Sequence, residues 1–128
     1  MYYYEEDKKK IMIVDDSPVM LRSMKGILDR VYTVYLSTSG EQALHAIPEK
    51  EPDLILLDYK MPEMDGIAVL EAMRADDRMK DIPVVFLTSV ADRKTVDSIL
   101  RLKPAGYILK PPDQEKVFET IENALKKE

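Results

Sequence analysis

Four short apolar runs in this sequence each stop at a residue able to do chemistry. Ile11-Met12-Ile13-Val14 stops at Asp15-Asp16, and Asp53-Leu54-Ile55-Leu56-Leu57 stops at Asp58. Pro83-Val84-Val85-Phe86-Leu87 stops at Thr88, and Gly106-Tyr107-Ile108-Leu109 at Lys110. Gathered in one place, these ends offer carboxylates, a hydroxyl and an ammonium. Clustered carboxylates repel one another and raise each other's pKa. A divalent cation relieves that cost, and hard carboxylate oxygens suit Mg²⁺, which keeps part of its water shell. A carboxylate is also a nucleophile toward phosphorus, giving an acyl phosphate. A neighbouring hydroxyl and ammonium would hold phosphoryl oxygens by a hydrogen bond and a point charge.

The elements that must position these groups are legible in the apolar pattern. Runs this short, apolar at every residue, suit strands buried on both faces of a parallel sheet. Residues 31–36 alternate more and fit an outer strand. Ser17-Pro18 reads as an N-cap and first helical turn, followed by an apolar face of Met20, Met24, Ile27 and Leu28. Ser39-Gly40-Glu41-Gln42 reads as a capping box before Ala43, Leu44 and Ile47. Ile67, Leu70 and Met73 mark a third helix, and Val96, Ile99 and Leu100 a fourth. Val117, Ile121, Ala124 and Leu125 mark a fifth, with Asp113 as its cap. Strand and helix thus alternate five times, which implies an α/β fold with helices on both faces of a parallel sheet. Ligands in such sheets bind at the carboxyl ends of the strands, where the chemistry-bearing residues stand. The methionines read as core and loop packing.

Composition bounds the alternatives. The chain has 128 residues, 45% of them hydrophobic, enough for one domain. It has no cysteine, which excludes disulfides and thiolate metal sites, and a single histidine, His45, expected on a solvated helix face. A net charge of -5 leaves no electrostatic footprint for nucleic acid or an anionic membrane. No apolar run approaches a membrane span, and the first ten residues lack the apolar segment of a signal peptide. The expected location is the cytoplasm.

With Met61-Pro62-Glu63-Met64-Asp65-Gly66 following Asp58, and Pro111 following Lys110, the ordered set resembles the receiver domain of bacterial two-component response regulators. The resemblance spans residues 10–127; residues 1–9, with Tyr2-Tyr3-Tyr4, are expected to be a mobile extension. It implies a flavodoxin-like (βα)5 doubly wound three-layer sandwich with strand order 2-1-3-4-5. It makes Asp58 the phosphoacceptor for a histidine kinase, a phosphotransfer protein or a small phosphodonor. Mg²⁺ would be held by Asp16, Asp58 and the backbone carbonyl of Lys60, with Asp15 acting mainly through metal-bound water. Thr88 and Lys110 would bind the phosphoryl group, and a cis Lys110–Pro111 bond would aim the lysine. Tyr107 would be the switch aromatic, altering the face of the fourth helix, fifth strand and fifth helix. The implied role is a phosphoacceptor switch rather than an enzyme. Its partners would be an effector protein or a fused output domain, and homodimerisation on phosphorylation is allowed.

Some positions depart from the family's habit. Tyr59 follows the acceptor, where surface packing is expected of it. Ser89 follows Thr88, Pro112 follows Pro111, and Lys60 and Val90 occupy positions that tune phosphoryl hydrolysis. Val90 supplies no side-chain group to orient water, so a long-lived phosphorylated state is expected. An aspartyl phosphatase would want a second carboxylate at position 60, and a dinucleotide-binding module would want a glycine-rich turn after the first strand; neither is present. A receiver-like fold that signals without phosphate is disfavoured by the complete residue set.

Overall fold

The computed structural model describes residues 8–126. Five strands and five helices alternate: β1 (Lys10–Val14), α1 (Pro18–Leu28), β2 (Thr33–Ser37), α2 (Gly40–Lys50), β3 (Leu54–Leu57), α3 (Gly66–Arg74), β4 (Val84–Thr88), α4 (Arg93–Arg101), β5 (Gly106–Leu109) and α5 (Gln114–Lys126). All pairings are parallel and the sheet order is β2-β1-β3-β4-β5. The expected outer strand is therefore the edge strand β2, and the central strand is β3. Every residue of β3 and β4 is buried, as continuous apolar runs require of strands covered on both faces.

The period-two alternation divides the core into two layers. Ile11, Ile13, Leu54, Leu56, Val85 and Ile108 pack with Leu21, Met24, Leu28, Val117, Ile121 and Ala124 of α1 and α5. Met12, Val14, Ile55, Leu57 and Phe86 pack with residues of α2, α3 and α4. In α1 the buried face is Leu21, Met24 and Leu28, with Met20 and Ile27 only flanking it. Two of the four expected positions, Met24 and Leu28, are thus fully buried, and Leu21 rather than Met20 completes the face. In α4 only Ile99 is buried, and Leu100 is 49% exposed, so its apolar face is narrower than the sequence suggests.

The caps follow local chemistry. Ser17 Oγ accepts from Met20 N–H, and Ser39 Oγ from Gln42 N–H. The Gln42 side chain accepts from Thr38 N–H at 2.6 Å, one residue before the cap, so the reciprocal half of the box is shifted. Asp113 precedes α5 and accepts from Glu115 N–H at 3.3 Å. The expected N-terminal extension falls largely on residues outside those described; Lys9 already shares the sheet, its carbonyl accepting from Thr33 N–H at 2.9 Å. Among the described residues no helix is long and apolar enough to cross a membrane.

Candidate functional site

The last rungs of the sheet hold the strand-end residues in place. Asp15 N–H donates to the Ser37 carbonyl at 3.1 Å, Asp58 N–H to the Val14 carbonyl at 2.9 Å, and Lys110 N–H to the Thr88 carbonyl at 3.0 Å. Because all strands are parallel, these rungs lie on one edge of the sheet. Asp15, Asp16 and Asp58 each present a carboxylate oxygen there, all within 4.8 Å of one another. Asp15, Asp58 and Thr88 are buried, and Asp16 is exposed. Two acids face inward and one faces water, as expected of a cation site that retains some hydration.

Lys110 is the one cation among them. Its Nζ lies 2.7 Å from Asp15 Oδ2 and 3.5 Å from Asp58 Oδ2. The other oxygen of Asp15 accepts from Ser17 N–H at 2.9 Å, so Ser17, not Asp15, caps α1. Burial pushes the Asp58 carboxyl above its ordinary pKa, and the negative charge of Asp15 adds to this. The Lys110 charge and hydrogen bonds from Thr88 and Lys110 oppose the rise without cancelling it. The three acids are thus short of positive charge, and their oxygen donor set fits a hard divalent cation such as Mg²⁺.

The loop after Asp58 is held by a close approach. Gly66 N–H donates to the Tyr59 carbonyl at 2.7 Å. A Cβ at Gly66 would sit 2.6 Å from the Asp58 carbonyl oxygen and 2.8 Å from Phe86 Cε1. Glycine there lets α3 press against the backbone of Asp58. The motif was legible in the sequence, but this steric role was not. Tyr59 is half-buried against the α2–α3 core layer, whereas Lys60 and Ser89 are exposed. His45 is exposed on α2. The Lys110–Pro111 peptide is cis.

Sequence reasoning missed the part played by the Val90 backbone. Val90 N–H points to Thr88 Oγ1 at 3.4 Å, while its carbonyl accepts from the Tyr107 hydroxyl. Tyr107 is half-buried and stacks on Phe86 with ring centroids 6.5 Å apart. One residue therefore touches both Thr88 in the site and Tyr107 on β5.

The comparisons with known proteins agree with this geometry. The family model described as the response regulator receiver domain matches residues 11–122. The chain belongs to this family. It is 30% identical to the polar-differentiation response regulator DivK of Brucella anthropi, covering 91% of this chain and 96% of that protein. It is 36% identical to a protein-glutamate methylesterase/protein-glutamine glutaminase of Trichodesmium erythraeum, covering 92% of this chain but 35% of that protein. The receiver domain is the shared portion, so the longer protein's activity does not carry across. Several other relatives are likewise spanned only in part. Among solved structures, the signal receiver domain of a histidine kinase from Syntrophus aciditrophicus superposes with a TM-score of 0.85 at 30% identity, covering 94% of each chain. This receiver domain is accordingly a part of two-component signalling with a phosphoacceptor-switch fold.

Proposed function

We propose that this receiver domain is switched by a phosphoryl group placed on Asp58. A carboxylate oxygen of Asp58 attacks phosphorus while the bond from phosphorus to the donor breaks, and the donor leaves with that electron pair. The donor is a phosphohistidine of a kinase or phosphotransfer protein, or a small acyl phosphate or phosphoramidate. The observation that carries this reading is Lys110 set between Asp15 and Asp58, at 2.7 and 3.5 Å, with a side-chain hydrogen bond from Thr88 to the acceptor. Asp15, Asp16, Asp58 and the Lys60 carbonyl would hold Mg²⁺, which when bound neutralises charge on the phosphoryl oxygens. Lys110 moves from Asp15 toward the new phosphoryl group, and Thr88 donates its hydroxyl to it.

The readout runs through Val90. Drawing Thr88 toward the phosphoryl group breaks its 3.4 Å contact with Val90 N–H. The same residue's carbonyl anchors Tyr107, so the β4–α4 loop and the α4–β5–α5 face shift together. The added charge thereby biases a two-state equilibrium. With no side-chain hydrogen-bonding group at Val90 to orient a water, the phosphorylated state is long-lived; decay within seconds of donor removal would refute this.

Intact mass after incubation with Mg²⁺ and acetyl phosphate or phosphoramidate tests the main reading. The expected result is a gain of one phosphoryl group, lost in Asp58→Asn and on chelation. No gain from either donor would instead indicate a receiver fold that signals without phosphate.

A further inference from the structure

The two edges of the sheet are β2 and β5, and they differ in how they are protected. β5 begins with Gly106 and lies between Pro104 and the Pro111-Pro112 pair. Glycine and proline blunt an edge against pairing with another chain. β2 carries no such device. Its sequence, Thr33-Val34-Tyr35-Leu36-Ser37, has no charge, proline or glycine. Its register with β1 runs unbroken from Thr33 to Ser37, without a bulge. Leu36 is 37% exposed on it.

The outward groups of β2 follow from its ladder, since residues of a parallel strand turn alternately toward one side and the other. Thr33 N–H donates to the Lys9 carbonyl at 2.9 Å, and the Ser37 carbonyl accepts from Asp15 N–H at 3.1 Å. Thr33, Tyr35 and Ser37 therefore face β1. Val34 and Leu36 turn their N–H and C=O groups outward, where the sheet has no further strand. An antiparallel second β2 centred on Tyr35 matches these groups. Val34 of one copy and Leu36 of the other then exchange hydrogen bonds in both directions, and the symmetric pair does the same. Tyr35 meets its own counterpart in the closer, non-hydrogen-bonded pair, so aromatic meets aromatic and aliphatic meets aliphatic. Charge also fits. α2 runs opposite to β2: Gln42 in its first turn bonds Thr38, and the Lys50 carbonyl at its end accepts from Lys10 Nζ at the start of β1. A twofold axis through the Tyr35 pair lays the two α2 helices antiparallel. The exposed Glu41 of one copy then lies toward the exposed Lys50 of the other, with the helix dipoles opposed.

We infer that a second copy of this chain pairs with the outer edge of β2, joining two five-stranded sheets through antiparallel β2 strands with Tyr35 at the twofold axis. The contact covers Leu36 and satisfies the outward backbone groups of Val34 and Leu36. It needs no phosphoryl group on Asp58 and stands apart from that reading. It also places the β5 edges of the two copies at the far ends of the joined sheet, away from the contact.

Sedimentation equilibrium of the full chain, in chelator and without a phosphodonor, tests this, together with amide hydrogen exchange over a dilution series. The expected result is a reversible dimer in which the Val34 and Leu36 amides exchange more slowly as concentration rises. Leu36→Pro removes one outward N–H, and Leu36→Lys places a charge on the edge. Each should raise the dimer dissociation constant about tenfold or more. Leu36→Lys changes an exposed side chain and no hydrogen bond to β1, so it serves even where the proline variant fails to fold; unchanged thermal melting confirms its fold. A wild-type chain still monomeric at about 1 mM would overturn the proposal. So would a dimer insensitive to Leu36→Lys, a dimer formed only with Mg²⁺ and acetyl phosphate, or a dimer without added protection at Val34 and Leu36. Protection of both amides at every dilution in a monomer would show the edge covered by the chain itself, and would equally overturn it.

Discussion

Lys110 Nζ sits 0.8 Å closer to Asp15 Oδ2 than to Asp58 Oδ2, at 2.7 against 3.5 Å. The buried Asp15 carboxylate leans on this ammonium, and Asp58 receives the weaker share. Lys110→Ala is therefore expected to leave Asp15 buried with one Ser17 N–H as its donor. The loss should be about 1–3 kcal/mol of folding free energy, moderated by the partial exposure of Lys110. Urea denaturation measures it, and a loss no larger than that of an exposed lysine would contradict the pairing. The same change should raise the Asp58 pKa further, visible in the carboxyl carbon shift.

Asp58 also sets a pH dependence. Its folded pKa lies above the unfolded value of 3.8, chiefly through burial. Between those two values the folded state binds more protons than the unfolded state. Stability is therefore lost as pH rises from about 3.8 through the folded pKa, and the cost is fully present above that folded pKa. In chelator, Asp58→Asn should stabilise the fold at pH 7 and lose that advantage near pH 4. Equal effects at both values would sink the assignment.

Mg²⁺ should stabilise the wild-type chain by relieving repulsion among Asp15, Asp16 and Asp58. At a free concentration about ten times its Kd the gain is about 1.4 kcal/mol. Thermal melting with and without chelator reads it. Asp16→Asn should remove most of the gain, whereas replacing the exposed Asp81 should not.

Gly66→Ala introduces a methyl group 2.6 Å from the Asp58 carbonyl oxygen. Relieving that overlap requires movement of α3 or of the acceptor's backbone. We expect a loss of about 1–3 kcal/mol together with slower phosphorylation of Asp58. A variant of wild-type stability and rate would show that the loop gives way freely.

Away from the site, the Arg78 side chain and backbone N–H hold the Asp76 carboxyl down to a pKa of about 2. A depressed acid contributes stability above its unfolded value of 3.8, lost as pH falls toward about 2. The carboxyl carbon of Asp76 should titrate near that value. Arg78→Ala should move it upward into the ordinary aspartate range.

Strand ends, helix caps and the alternation of elements were legible because each is a local matter. Four apolar runs stop at polar residues, and Ser17 and Ser39 cap helices within three residues of themselves. The fold class followed from that order. Strand order came from resemblance to a family, since no short stretch of sequence states which strands are neighbours. The narrow buried face of α4 was misjudged because Leu100 has apolar chemistry but no element to cover it.

What the sequence by itself determined was therefore the inventory: Asp15, Asp16, Asp58, Thr88 and Lys110 at strand ends, on elements whose periodicity commits them to one sheet. Only the tertiary structure decided the pairings. Lys110 leans on Asp15 across a separation of 95 residues, Val90 links Thr88 to Tyr107 through its backbone, and Gly66 admits α3 against Asp58. The physical reason is range. Propensity and capping act over a turn of chain, whereas hydrogen bonds and steric exclusion between distant segments exist only once packing has set their separations to within an ångström.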